Sequence, residues 1–173
     1  PLQTLIHERG STLQSEMQKL LLSMQSNGMR LLKLINDLLD LVRLESGKME
    51  VKREPVAMEP FLLGLANAVK KTAEDRGIRL EVTSDPAIGM VLTDGDKLER
   101  ILLNLLFNAL KFTPAGGNVE VKARFEPGEL VLEVSDTGPG ISEEQLPFIF
   151  DRFWQADTSS QRKYRGVGIG LAL

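Results

Sequence analysis

Four polar side chains recur along one side of the segment from Asp96 to Thr113: Arg100, Asn104, Asn108 and Lys111. Their spacings of four, four and three residues place them on one face of a helix, which we call the polar stripe. An Asn oxygen suits Mg²⁺, and a Lys one turn further on suits phosphate. The stripe therefore predicts a magnesium-bound nucleotide, with internal hydrogen bonds to loops as the alternative. The other side chains are mostly apolar, so we expect a helix capped by Asp96 and buried on nearly every side.

Two glycine-rich segments follow this helix. In Asp136-Thr-Gly-Pro-Gly140 the glycines allow close approach of a ligand, and the Asp can accept from an exocyclic amine such as that of adenine. Gly166-Val-Gly-Ile-Gly170 opens a final helix and suits phosphate at helix N–H groups. Each pattern is weak alone, because D-x-G-x-G also matches an ordinary tight turn. An aromatic cluster, Phe150 to Trp154, precedes a polar stretch over 154–165 that predicts a mobile loop.

Composition narrows the possible functions. The chain has 173 residues, a formal net charge of −3, no Cys and one His. It can hold neither disulfides nor thiolate or multi-histidine metal sites. The slight acidity argues against nucleic-acid binding. No apolar run approaches the roughly 20 residues that cross a bilayer, so we expect no membrane contact by this chain. We expect it in the cytoplasm, whether or not its parent protein is membrane-anchored.

The first 45 residues predict a helical hairpin that dimerises. Pro1 to Arg9 forms a stub that Gly10 ends, and a longer helix runs from Ser11 to about Glu45. Its seam residues recur at alternating spacings of four and three, typical of a heptad repeat, and all but Asn27 are apolar: Leu13, Met17, Leu20, Met24, Asn27, Leu31, Leu34, Leu38 and Leu41. The seam is wide, which favours a four-helix bundle. One chain cannot complete such a bundle, so we expect a homodimer through residues 11–45.

Helix and strand patterns mix in the rest of the chain. We expect helices over 61–74, 96–113 and 142–150, and strands over 49–52, 78–83, 90–92, 118–125 and 129–135. The last two strands are joined at Pro127-Gly128 as a hairpin. This order predicts an α+β sandwich with helices on one face of a mostly antiparallel sheet. The predicted domains are residues 1–48 and 49–173.

The order of the motifs is more specific than any one of them. N-x-x-x-N-A-x-K, D-x-G-x-G, F-x-x-F and G-x-G-x-G-L occur in sequence and resemble the N, G1, F and G2 boxes of sensor histidine kinases. Leu31 to Lys48 looks like the second helix of their dimerisation and histidine-phosphotransfer domain. The resemblance implies the sandwich fold shared with gyrase and chaperone ATPases. It also implies transfer of the ATP γ-phosphate to a histidine, for relay to a response regulator receiver domain.

The resemblance assigns roles by position. Asn108 would bind Mg²⁺ with support from Asn104, and Lys111 would contact phosphate. Asp136 would take the adenine amine. Gly138 and Gly140 would line the pocket. Three further glycines would hinge a lid and face the phosphates: Gly166, Gly168 and Gly170. Lys163 and Arg165 in that lid would neutralise phosphate charge.

The family's phosphoacceptor box runs H-E-x-x-x-P-L, and Pro1-Leu2 fit its last two positions. We therefore expect the acceptor His just upstream of residue 1 and not at His7, since Thr12 stands where the box needs Pro. Two other classes stay open. An ATP hydrolase of the same superfold needs a general-base Glu where this chain has Asn104. A non-catalytic nucleotide-sensing or dimerisation scaffold is disfavoured by the complete set of site residues.

Overall fold

The computed structural model describes residues 2–47, 49–155 and 171–172. The chain divides into two compact units, Pro1–Met49 and Glu50–Leu173. Helices and strands alternate in the order α1 Leu2–Glu45, β1 Glu54–Ala57, α2 Met58–Asp75, β2 Arg79–Ser84, β3 Met90–Thr93, α3 Gly95–Phe112, β4 Asn118–Glu126, β5 Glu129–Asp136, with a 3-10 turn at Leu146–Phe148. The expected α+β class is confirmed.

The first unit is one helix. α1 runs unbroken through 44 residues, so the expected break at Gly10 is wrong. A single glycine costs a helix only about 1 kcal/mol, which a helix of this length tolerates. Five large apolar side chains of the seam are 49–62% exposed: Met17, Leu20, Met24, Leu31 and Leu38. Towards the end of the helix, Leu34 is half-buried and Leu41 is only 5% exposed. Within the described residues, no helix combines the length and the hydropathy that a bilayer crossing requires.

The described strands of the second unit form two sheets. β4 lies between β2 and β5 in one sheet, and β1 pairs antiparallel with β3 in the other. β4 and β5 form the predicted antiparallel hairpin, whereas β2 and β4 run parallel. A parallel pair needs a crossover, and the chain makes it through β3 and α3. The strand predicted over 49–52 is wrong, since β1 begins only at Glu54. The Lys52 N–H donates to the Asp94 carboxylate (2.9 Å) and not to a neighbouring strand.

One hydrophobic core lies between the two helices of this unit and the inner face of the three-stranded sheet. Most of its buried side chains come from α2, α3 and β4, and two come from the connecting segments: Met58, Leu62, Leu65, Val69, Ala73, Leu102, Leu106, Ala109, Leu110, Val119, Val121 and Ala123, with Ile78 and Ile88. The helical members recur every three or four residues and the strand members every second residue. On the outer face, Arg124 bonds Glu133 (2.7 Å) and Glu126 (3.0 Å). The second unit is therefore the expected two-layer sandwich.

Two predicted helix boundaries are wrong. α3 is capped by Asp94 and not by Asp96: the Asp94 carboxylate accepts from the Lys97 N–H (3.1 Å) and the Lys97 ammonium (2.7 Å). The Lys52 N–H also donates to the Asp94 carboxylate, and this additional hydrogen bond favours Asp94 over Asp96 as the cap of α3. The helix expected over 142–150 is a single 3-10 turn, Leu146–Phe148. Pro147 removes the N–H that would continue a helical ladder from Ser142.

Candidate functional site

The polar stripe of α3 faces away from the core. At about 100° per residue, its four members fall within roughly 80° of one another on the helix. The buried side chains of α3 lie on the opposite side: Leu102, Leu106, Ala109 and Leu110. All four stripe residues are half-buried. Asn104 and Asn108 thus present amide groups on successive turns of a partly sheltered surface.

Three exposed apolar side chains flank the stripe, which corrects the prediction that α3 is buried on nearly every side. Ile101, Phe107 and Phe112 are 50%, 43% and 39% exposed. On the helix, Ile101 and Phe112 lie beside Asn108, and Phe107 lies beside Lys111 at the other edge. Apolar walls around a few polar groups are the usual composition of a ligand site. Sequence reasoning missed these residues because apolar periodicity alone assigns them to the core; their adjacency to the stripe was the available signal.

Lys111 lies at the C-terminal end of the stripe. Its ammonium nitrogen is 4.7 Å from the ring centroid of Phe112, a cation–π distance. Partial burial lowers the pKa of Lys111 below its ordinary value, because a desolvated ammonium is less stable in its charged form. An anionic ligand would restore the stability of that charge, in keeping with the phosphate contact expected of this side chain.

The turn Asp136–Gly140 packs against the same end of α3. The Gly138 N–H donates to the Asp136 carboxylate (2.7 Å), which orients that carboxylate within the turn. A Cβ atom on Gly138 would lie 2.7 Å from the same carboxylate oxygen and 3.2 Å from the Phe112 carbonyl oxygen. Gly138 is therefore needed for the packing of this turn on α3. Gly140 has open space around it and a φ of +71°, so there the backbone conformation favours glycine.

A second contact, between the turn and the start of β4, holds this arrangement. The Asn118 N–H donates to the Thr137 hydroxyl (2.8 Å), and the Thr137 N–H donates to the Asn118 carbonyl (3.0 Å). Buried Thr113 caps α3 by donating its hydroxyl to the Ala109 carbonyl (2.7 Å). Between them lies Gly117, where an added Cβ would collide with the Thr113 methyl and lie 2.8 Å from the Thr137 hydroxyl. None of these residues was predicted as a site residue from the sequence, because only the fold brings them together.

The structure thus joins the end of α3, with Lys111, to the turn that carries Asp136. Asn104 and Asn108 occupy the preceding turns of the same helix face. The remaining predicted site residues lie outside the described residues: Lys163, Arg165, Gly166, Gly168 and Gly170. In the segment between, the Phe148 and Trp154 rings stack with centroids 6.4 Å apart.

A cation at this site would depend on amide oxygen. Among the described residues, no three His, Cys, Asp or Glu side chains gather into a metal site. Mg²⁺ accepts oxygen ligands, keeps several waters and commonly takes the phosphates of a bound substrate. The amide oxygen of Asn108 on the stripe fits such a shared site. A site built from protein carboxylates alone does not fit the described residues.

Known proteins match both the sequence and the fold. Residues 93–173 match the family described as Histidine kinase-, DNA gyrase B-, and HSP90-like ATPase. Hybrid signal transduction histidine kinase D of Dictyostelium discoideum is 38% identical over 153 residues, which are 85% of this chain and 10% of that protein. Full-length ShkA, solved with AMPPNP, superposes with a TM-score of 0.73 at 35% identity over 82% of this chain and 29% of its own. The mycobacterial sensor histidine kinase MprB superposes with a TM-score of 0.56 at 34% identity, over 69% of this chain and 74% of its own.

Fold and site define an ATP-binding domain of the histidine kinase, gyrase and chaperone class. The chain belongs to the sensor histidine kinases and carries the ATP-binding catalytic core of a two-component kinase. It spans only a tenth of the first curated relative, so it corresponds to one part of such a protein.

Proposed function

We propose that this chain binds Mg-ATP and transfers the γ-phosphate to a protein histidine. One observation supports the proposal: Gly138 packs closely on the carbonyl of Phe112, which is the residue after Lys111 at the end of α3. A nucleotide has a phosphate end and a base end, and this contact brings a candidate for each end into one site.

Each residue has a separate task. Asp136 accepts from the adenine amine, and Gly138 and Gly140 let the turn lie close to the base. Lys111 contacts phosphate, Asn108 holds Mg²⁺, and Asn104 supports Asn108. The bound ion would neutralise phosphate charge. Outside the described residues, Gly166, Gly168 and Gly170 would hinge a lid and face the phosphates, and Lys163 and Arg165 would add positive charge.

Kinase chemistry is favoured over hydrolysis by the residue at position 104. Hydrolysis of ATP needs a group that takes a proton from water, and the amide of Asn104 cannot do so at neutral pH. Phosphoryl transfer depends mainly on positioning the acceptor and stabilising charge. The stripe, with two amides and one cation, supplies those functions without a base of its own.

The two predicted domains divide this work. Residues 1–48 form the dimerisation and phosphotransfer part, and residues 49–173 form the catalytic part. The exposed part of the α1 seam supports a homodimer through residues 11–45, since Leu31 and Leu38 are 59% and 49% exposed. The further partner is a response regulator receiver domain that takes the phosphoryl group onto an aspartate, in the cytoplasm where ATP is supplied.

Calorimetry tests the nucleotide site directly. We expect the chain to bind ADP and AMPPNP, with tighter binding of AMPPNP when Mg²⁺ is added. Asn108→Ala should remove the Mg²⁺ effect and leave adenosine binding intact. No heat and no thermal shift at millimolar nucleotide would contradict the proposed site.

A further inference from the structure

We propose that Arg76 is a positioning residue for Lys111. This inference rests on the proposed phosphate contact of Lys111 and adds a residue that lies in none of the sequence motifs. Arg76 is the C-cap of α2, and its guanidinium donates to the backbone carbonyl of Lys111 (3.1 Å). Both residues are half-buried, so the bond is partly sheltered from water.

The end of α2 is shaped to bring this side chain to α3. Gly77 takes a φ of +65°, and the N–H groups of Gly77 and Ile78 bond back to carbonyls of α2 at 2.9 Å each. This is a Schellman turn, which a glycine permits. The Gly77 carbonyl in turn accepts from the Gly116 N–H (2.8 Å) in the turn after α3. The two helix ends are therefore bonded to each other, and Arg76 lies at that junction.

The carbonyl that Arg76 binds needs a partner from outside the helix. The last four carbonyls of an α-helix have no N–H within it, and a cation at this end is also favoured by the helix dipole. The Ala109 carbonyl accepts from the N–H and the hydroxyl of Thr113. The Lys111 carbonyl accepts from Arg76.

This bond holds the backbone from which the Lys111 side chain extends. Without it, water would solvate the carbonyl and the backbone of Lys111 would be held less tightly. The ammonium of Lys111 would then start from a less defined position relative to the phosphates, while the Asp136 turn would keep its bonds to Asn118. Loss of Arg76 should therefore weaken phosphate contacts and spare contacts to the base.

A double-mutant cycle separates this role from a general structural one. Calorimetry compares ADP with adenosine for the wild type, Arg76→Met, Lys111→Met and the double variant. Arg76→Met should weaken ADP binding about three- to tenfold, which is the size of one lost hydrogen bond, and leave adenosine binding unchanged. In the Lys111→Met background, Arg76→Met should have no further effect. Arg79→Met, at an exposed position on β2, removes the same charge and should leave ADP affinity within about twofold.

Each outcome distinguishes between explanations. If the wild type binds no ADP, the proposed function fails and not this inference. If ADP and adenosine weaken together, or if the effect persists without Lys111, Arg76 acts on the fold or through its own charge, and the inference is overturned. Equal ADP affinity in Arg76→Met and the wild type also overturns it. Should Arg76→Met fail to fold, the same cycle with Arg76→Gln decides, because the shorter amide cannot span the distance of a guanidinium.

Discussion

Gly138→Ala would test whether the Asp136 turn and α3 form one nucleotide site. The added Cβ would lie 2.7 Å from an Asp136 carboxylate oxygen and 3.2 Å from the Phe112 carbonyl oxygen. The carboxylate can rotate away, but it then loses the bond from the residue 138 N–H (2.7 Å) that orients it. The carbonyl belongs to a helix end, so relief on that side requires the whole turn to move. Gly138 does not have a positive φ, so the effect is steric.

The size of the effect follows from the lost orientation of Asp136. A hydrogen bond to a charged group contributes about 1.5–3 kcal/mol, and we take about 1–2 kcal/mol because Asp136 is exposed. That corresponds to roughly 5- to 30-fold weaker binding of adenine nucleotides. The preference for ADP over GDP should fall as well, since the carboxylate would no longer be aimed at the base amine.

Isothermal calorimetry with ADP and GDP measures both quantities. Gly64→Ala is the matched control: Gly64 lies in the middle of α2, an added Cβ would meet nothing within 4 Å, and the site is untouched. ADP affinity in Gly138→Ala equal to the wild type would refute the reasoning about the turn. An equal loss in Gly64→Ala would show that any added methyl group disturbs the domain.

Three further predictions concern stability and assembly. Gly64→Ala should raise the free energy of unfolding by about 0.5–1 kcal/mol, measured by urea denaturation, because alanine loses less backbone entropy in a helix; an unchanged midpoint would contradict this. The pKa of Asp94 is lowered from 3.8 to about 2, chiefly by the hydrogen bond from the Lys97 side chain and then by that from the Lys52 N–H. The contribution of Asp94 to stability is therefore present above about pH 4 and lost as the pH falls towards 2. We expect the melting temperature of Asp94→Asn to fall less steeply with decreasing pH than that of the wild type. Parallel curves for the two proteins would contradict this. Leu38→Glu should convert a dimer into a monomer in light scattering, since it puts a charge into the exposed seam; a dimer that persists would place the interface elsewhere.

Local sequence signals predicted α3 with its polar stripe and the β4–β5 hairpin, although they misplaced the strand over 49–52 and the helix over 142–150. The spacing of Asn104, Asn108 and Lys111 predicts one helix face, and α3 presents them on one face. The β4–β5 hairpin follows from two alternating runs around Pro127-Gly128, and the strands pair as expected. These features depend on residues close together in the chain, for which period and turn chemistry suffice.

The contacts that assemble the site could not be predicted in this way. The choice of Asp94 over Asp96 as the cap depends on Lys52, 42 residues away. The parallel pairing of β2 with β4 depends on the crossover through α3, and no local pattern reports it. The exposure of Phe107 and Phe112 depends on which side of α3 the sheet covers. In each case a tertiary contact decides between options that the local sequence leaves nearly equal.

The last turn of α3 shows why the motif residues alone do not make a nucleotide site. Three backbone carbonyls there are engaged from different parts of the chain: Thr113 binds that of Ala109, Arg76 binds that of Lys111, and Gly138 packs on that of Phe112. None of these contacts uses the side chain of Asn104, Asn108 or Lys111, yet together they fix the position of the backbone from which the Lys111 side chain extends. On the roles that we propose for Lys111 and Arg76, a chain that keeps its N box would still lose phosphate contacts when Arg76 is replaced. Of the two helix ends that meet at this point, the one outside the motifs supplies the guanidinium, so a search for determinants of nucleotide affinity should begin at the end of α2.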